Sequence, residues 1–198
     1  VKIPSSIKRI SPFCFENCKK IKTIEFSEDS ELCSIGNNVF SDSSIEHLSI
    51  PQQLRELEDG WCANTPNLFS ISVSSKNKSF KIIEEKLLVG KLDQKSEIYD
   101  VLHFACRDIE HVKIPSCIKK ITKNCFQKCK DLEKIEIDEF SELTTIEEGT
   151  FDKSSLEDLF IPSNLKELKD GWCMNTSKMT HISVSQKNKN FKIIDDKL

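Results

Sequence analysis

Glycine is scarce in this chain, five residues among 198, and proline is hardly commoner at six. That scarcity leaves no Gly-rich loop to cradle a phosphate and excludes fibrous or low-complexity organisation. Positive charge is not in excess either. Lys and Arg number 29 against 32 Asp and Glu, so the formal charge is −3 and no field gathers phosphate backbones or anionic lipid. Nucleic acid is therefore not an expected partner. No apolar run approaches the roughly 18 residues that a membrane span needs, so this segment is not expected to insert into a bilayer. The first residue is Val1, and no basic segment leads into a hydrophobic one as in a secretory leader. Catalytic signatures are missing too, with no nucleophile elbow, no H-E-x-x-H, no P-loop and no distinctive carboxylate pair. The expectation is a non-enzymatic protein without cofactor or metal.

What is present is a folding composition, 37% hydrophobic and 31% charged. Nine cysteines form an odd set: Cys14, Cys18, Cys33, Cys62, Cys106, Cys117, Cys125, Cys129 and Cys173. Because they sit within repeated apolar patterns, they read as buried free thiols packing as small hydrophobes, with a disulfide between neighbouring coils as the alternative. The pairs Cys14 with Cys18 and Cys125 with Cys129 supply half of the four ligands of a zinc site, and no histidine follows at finger spacing.

The dominant fact is a duplication. Shifting the chain by 111 residues aligns 1–87 with 112–198 without a gap, and 48 of the 87 positions are identical. Residues 88–111 lie between the copies. Within each copy the last apolar residue of each alternating run falls at Ile3, Phe26, Ile50 and Val73, then at Ile114, Ile137, Ile161 and Val184, with spacings of 23, 24 and 23. Such a period, each unit opening with an alternating strand, is the mark of a leucine-rich solenoid, because one unit cannot cover its own apolar face and must stack.

The predicted fold is thus a single solenoid over 1–198 of the horseshoe class, mostly β. Its expected parallel sheet lines the concave face, and short turns or 3-10 segments form the convex side. A second apolar column, Ile10, Ile35, Leu57, Ile121, Ile146 and Leu168, should point inward from the return segment. Five residues later stands Phe15, Phe40, Cys62, Phe126, Phe151 or Cys173, then after three more a small residue, Cys18, Ser43, Thr65, Cys129, Ser154 or Thr176. These predict a stacked aromatic spine beside close-packed turns with hydroxyls on the turning backbone. Proline at Pro4, Pro51, Pro115 and Pro162 marks the strand exit. The residues between the copies read as a β-hairpin projecting from the solenoid.

With these residues in view, the repeat of Ile-Pro strand exits and the F-x-x-C at Phe15 to Cys18 and Phe126 to Cys129 resemble the BspA-like class of leucine-rich repeat proteins. The pattern departs from that class where alanine usually precedes the phenylalanine; here Cys14 and Cys125 stand there, and the third unit has Trp61-Cys62 and Trp172-Cys173. The resemblance implies a surface protein of the bacterial or trichomonad type that adheres to host cells or matrix. The preference for lysine over arginine and the cysteine-bearing repeats resemble the protist branch.

Outward strand positions would form the binding face: Thr23, Glu25, His47, Ser49, Ser70, Ser72, His111, Lys113, Lys134, Glu136, Asp158, Phe160, His181 and Ser183. The stripe is small and polar apart from Phe160, which reads as an exposed contact anchor. Its histidines read as solvated surface residues. Glycosylation sequons occur at Asn77 and Asn175. The expected partner is a protein or glycan on a host cell or matrix, and the expected location is the cell surface or outside it. The alternative is a cytoplasmic scaffold for protein–protein interaction. Because the copies start inside a strand at Val1 and stop at Leu198, a fragment of a longer array is expected, with open ends that self-associate or are capped by further sequence.

Overall fold

The computed structural model describes residues 1–193; the tail of the second copy, 194–198, lies outside the described residues. Each coil begins with a strand whose alternate side chains point inward. These strands are β1 (Lys2–Ile3), β3 (Thr23–Phe26), β5 (His47–Ile50), β7 (Ser70–Val73), β11 (His111–Lys113), β13 (Lys134–Glu136), β15 (Asp158–Ile161) and β17 (His181–Val184). They pair in parallel as a sheet β1-β3-β5-β7 and as the pairs β11-β13 and β15-β17. After the strand the chain turns, and the carbonyls of Pro4, Pro51, Pro115 and Pro162 each accept a bond from the amide three residues on. Proline suits this place because the turn uses its carbonyl and not the missing N–H.

The return segment, which carries the predicted second apolar column, holds a second parallel ladder. It is built of two-residue strands, β2 (Arg9–Ile10), β4 (Ser34–Ile35) and β6 (Glu56–Leu57), then β12 (Lys120–Ile121), β14 (Thr145–Ile146) and β16 (Glu167–Leu168). Turns follow, and no helix occurs among the described residues. The predicted inward column is the second residue of each of these strands.

In six of the coils, two left-handed residues close the winding. The first column is Phe13, Asn38, Gly60, Asn124, Gly149 and Gly171, and the second, four residues later, is Asn17, Asp42, Asn64, Lys128, Lys153 and Asn175. Asparagine and glycine tolerate this conformation; a bulky aromatic does not. Phe13, at φ 63° and half exposed, is the misfit, and the second copy has Asn124 in its place. Phe13→Asn should stabilise the protein by about 1 kcal/mol, read as a raised urea midpoint at unchanged slope.

Residues 80–105 correct one expectation. They form an antiparallel meander of β8 (Phe80–Ile83), β9 (Leu87–Gly90) and β10 (Val101–Ala105), and β10 pairs in parallel with β12, Leu102 opposite Ile121. The hairpin is therefore built into the fourth coil, and only its tip carries exposed apolar side chains, Leu92 and Ile98. The reason is burial of both faces. Leu88, Phe104 and Cys106 pack into the core of the first copy, while Leu87, Val89, Leu102 and Ala105 pack into that of the second.

The aromatic spine is present, with one change of residue. Phe15 stacks on Phe40 at 5.7 Å, Phe40 meets Trp61 edge-on at 6.1 Å, and Trp61 meets Phe104 at 5.6 Å. Trp61, not Cys62, continues the stack, and the hairpin supplies the next ring. Phe126, Phe151 and Trp172 repeat the pattern in the second copy. Between the two runs of rings lies Arg107, buried, its guanidinium carbon 4.2 Å from the centre of Phe104. Of the small-residue column, Thr65 and Thr176 donate to the carbonyls of Cys62 and Phe151, whereas the buried hydroxyls of Ser43 and Ser154 have no partner.

Candidate recognition surface

Strand register fixes which outward side chains are neighbours. Thr23 lies beside His47 and His47 beside Ser70; Ser49 lies beside Ser72. In the second copy His111 adjoins Lys134, Lys113 adjoins Glu136, Asp158 adjoins His181 and Phe160 adjoins Ser183. His47, Ser70, Ser72, His111, Lys113, Lys134, Glu136, Asp158 and His181 are exposed, and Ser49 and Ser183 are half-buried. Phe160 is half-buried as well and packs against the second core. It is less an exposed anchor than a large side chain that leans from the sheet onto the core's edge.

Charge is concentrated at the start of the second copy. His111, Val112, Lys113, Lys134 and Glu136 line a shallow groove of about 400 Å³. Lys134 bridges Glu136 at 2.7 Å and His111 faces Glu133 at 3.8 Å. The hydrogen bond and charge of Lys134 hold the Glu136 carboxyl below its usual range. In the first copy a groove of about 330 Å³ lies at the strand exits instead, lined by Phe26, Ser49, Ile50, Ser72 and Lys76 among others.

The two copies differ on one face far more than on the other. Inward pairs Ile3/Ile114, Ile24/Ile135, Leu48/Leu159, Ile50/Ile161, Ile71/Ile182 and Val73/Val184 are identical, and Phe26/Ile137 stays apolar. Outward, Thr23 becomes Lys134, His47 becomes Asp158, Ser49 becomes Phe160 and Ser70 becomes His181, while Lys2/Lys113, Glu25/Glu136 and Ser72/Ser183 are unchanged. Packing demands the first set; the second set is free to change.

Asn77, one of the two sequon asparagines, is fully engaged in the folded chain. Its Nδ2 donates to the carbonyls of Pro51 at 2.8 Å and Leu54 at 3.0 Å, and its Oδ1 accepts from the amides of Ser79 and Phe80. The residue is buried, and a sugar on Nδ2 would displace the previous coil. Asn188 makes the matching bonds to Pro162 and Leu165, yet Asn190 there removes the sequon. That contrast was legible in the duplication. Asn175 is exposed, left-handed at φ 57°, and donates to Asp152 at 2.9 Å.

The cysteines are unpaired, and only Cys62, Cys106, Cys125 and Cys129 are buried, so the expectation of buried thiols holds for these and fails for exposed Cys14. Burial pushes the Cys62 thiol up to about 12. His103, on β10, is a titrating group that the sequence did not single out. Burial, then the charge of Lys120, lowers its pKa to about 4, with Phe80 edge-on to the ring at 5.3 Å. The unfolded chain binds this proton more readily, so stability is full above about pH 6.5 and falls as pH drops towards 4. In His103→Gln the pH profile of the urea midpoint should flatten over that window.

A family model for the BspA type leucine rich repeat region matches residues 1–87 and 94–196 in six copies. The chain belongs to the BspA-type leucine-rich repeat family. No curated protein matches it in sequence. Among solved structures, this BspA-type chain is similar to a leucine-rich repeat protein from Eubacterium ventriosum at 23% identity and a TM-score of 0.77, covering 95% of this chain and 54% of that one. It is also similar to a leucine rich cell surface protein from Faecalibacterium prausnitzii, at 17% identity and TM-score 0.62, covering 93% and 59%. A third neighbour is the pneumococcal vaccine antigen PcpA, at 20% identity and TM-score 0.55, covering 94% and 62%. At these identities the likeness is one of fold, and the chain spans less than two thirds of each neighbour's length. No helix among the described residues is long and apolar enough to cross a membrane.

Proposed function

We propose that this chain is a non-enzymatic recognition module, the ectodomain fragment of a cell-surface protein that attaches to protein or glycan on host cells or extracellular matrix. The observation that carries the reading is the split between copies, inward residues kept and outward residues changed, which is what a scaffold presenting a variable surface requires. The Faecalibacterium neighbour described as a cell surface protein supports the location.

Lys113→Glu combined with Lys134→Glu tests the strand face, since both side chains are exposed. Attachment to cell monolayers and matrix-coated surfaces should fall at least about tenfold at unchanged melting temperature. Unaltered attachment removes this face from the reading. The nine unpaired cysteines favour a second reading, an intracellular scaffold in a reducing compartment. Surface biotinylation of intact cells that make the parent protein separates the two. End-to-end association is a further part of the proposal, and light scattering showing a constant monomer mass at rising concentration would remove it.

A further inference from the structure

The first coil of each copy presents the same strand edge, and only the one in the second copy is covered. There the edge of β12 receives β10, with Leu102 opposite Ile121. The amides of Lys119 and Thr122 donate to the carbonyls of Asp100 at 2.8 Å and Leu102 at 3.0 Å. Beyond the strand, the Cys125 carbonyl accepts from the Ala105 amide at 3.2 Å and from Arg107 Nη1 at 2.8 Å, and the Asn124 carbonyl accepts from Nη2 at 3.3 Å. Lys119 also bridges the Asp100 carboxylate at 3.3 Å.

Each receiving group recurs 111 residues earlier. β2 pairs with β4 on one side, and its other edge is free among the described residues. The amides of Lys8 and Ser11 and the carbonyl of Cys14 match those of Lys119, Thr122 and Cys125, yet have no hydrogen-bond partner among the described residues. Lys8 keeps the charge of Lys119 and also its second partner, pairing with Glu31 at 3.5 Å as Lys119 pairs with Glu142 at 3.8 Å. The apolar residues around this edge are uncovered. Ile7 is 37% exposed where Ile118 is 1%; Cys14 is exposed and Phe15 half-buried where Cys125 and Phe126 are buried. A free strand edge beside apolar surface is a template for a further strand.

We propose that this face is a docking site for the hairpin coil of a second BspA-type repeat unit, whose strand adds in parallel to β2. The receiving groups specify the strand. Lys8 calls for a carboxylate at its start, and the paired carbonyls of Phe13 and Cys14 call for a two-armed donor beyond its end, a fit for the planar fork of arginine. Residues 100–107, Asp-Val-Leu-His-Phe-Ala-Cys-Arg, carry these two groups seven residues apart with an apolar strand between. The hairpin coil within this chain is held between its own two cores, so the occupant is one whose outer edge is free. The site uses no residue of the strand face and stands or falls apart from the recognition reading.

A synthetic peptide of residues 86–110 is the probe, titrated into the whole chain. It should bind saturably and protect the amides of Lys8 and Ser11 from hydrogen exchange, and a scrambled peptide should not. Lys8→Glu and Cys14→Glu, both at exposed positions, should each weaken binding at least about tenfold. Arg107→Gln in the peptide removes the charged donors and should do the same, while Lys178→Glu in the second copy leaves affinity unchanged. Lys8→Glu stays informative if Cys14→Glu unfolds. Absent binding, equal binding of the scrambled peptide, or wild-type affinity in Lys8→Glu or with the Arg107→Gln peptide overturns the site. Self-association that Cys14→Glu abolishes and that saturating peptide leaves in place would give the face to a second copy of the chain instead.

Discussion

Arg107→Ala should cost about 3–5 kcal/mol of folding stability and split one unfolding transition into two. The guanidinium is buried and forms no ion pair among the described residues. Its Nε donates to the Thr65 carbonyl at 3.2 Å, Nη1 to that of Cys125 at 2.8 Å and to the Cys129 sulfur at 3.8 Å, and Nη2 to the Asn124 carbonyl at 3.3 Å. Thr65 lies in the first copy and the other three in the second, so one side chain ties both. Alanine would strip the charged donor from three carbonyls, leaving them only the amides of Leu68, Ala105 and Gln127, and open a cavity against Phe104. In a repeat array, cooperativity depends on the interfaces between neighbours, so weakening this one should uncouple the halves. Arg107→Met restores the volume without the donors and should recover only part of the loss. Denaturant melts by circular dichroism check both; a change below about 1 kcal/mol for alanine, within the spread of an ordinary surface substitution, would mean that the backbone amides alone satisfy these carbonyls.

The second large effect is expected at Asn77→Asp. The acid keeps the acceptor that serves Ser79 and Phe80, but it replaces the Nδ2 donor with an oxygen facing the carbonyls of Pro51 and Leu54. The Leu54 carbonyl then loses its donor, the Pro51 carbonyl keeps only the Leu54 amide, and both face a negative charge, a change of about 3 kcal/mol or more. Asn188→Asp removes the matching bonds at a half-buried site and should cost less, because water reaches the site and the Leu165 carbonyl keeps the Asn190 side-chain amide. Equal losses at the two sites would argue against burial as the cause.

The core was open to reading because apolar residues recur with the period of the coil, and the inward positions are the ones that packing dictates. The strand exits were legible for a similar reason, since proline fits few other places in such a repeat. The hairpin was misjudged as projecting although Leu87, Leu88 and Val89 run without a polar break, the pattern of a strand covered on both faces. Arg107 gave no signal, because a lone arginine reads as surface until the carbonyls that hold it are known. Asn77 reads as a sequon, and its fit to the turn needs the previous coil to be visible. Of the candidate face, the alternation of strand residues gave the outward set. The lean of Phe160 onto the core was not legible, because alternation assigns a side chain to a face and not its tilt.

The paired left-handed columns have a consequence for how such a molecule can grow. Three successive windings of each copy carry their own closing residues and their own inward stripe, so an added 111-residue unit brings the means of its folding with it. Recombination between units can then lengthen the molecule along its axis while the side chains it displays change separately, and reach and specificity become independent variables.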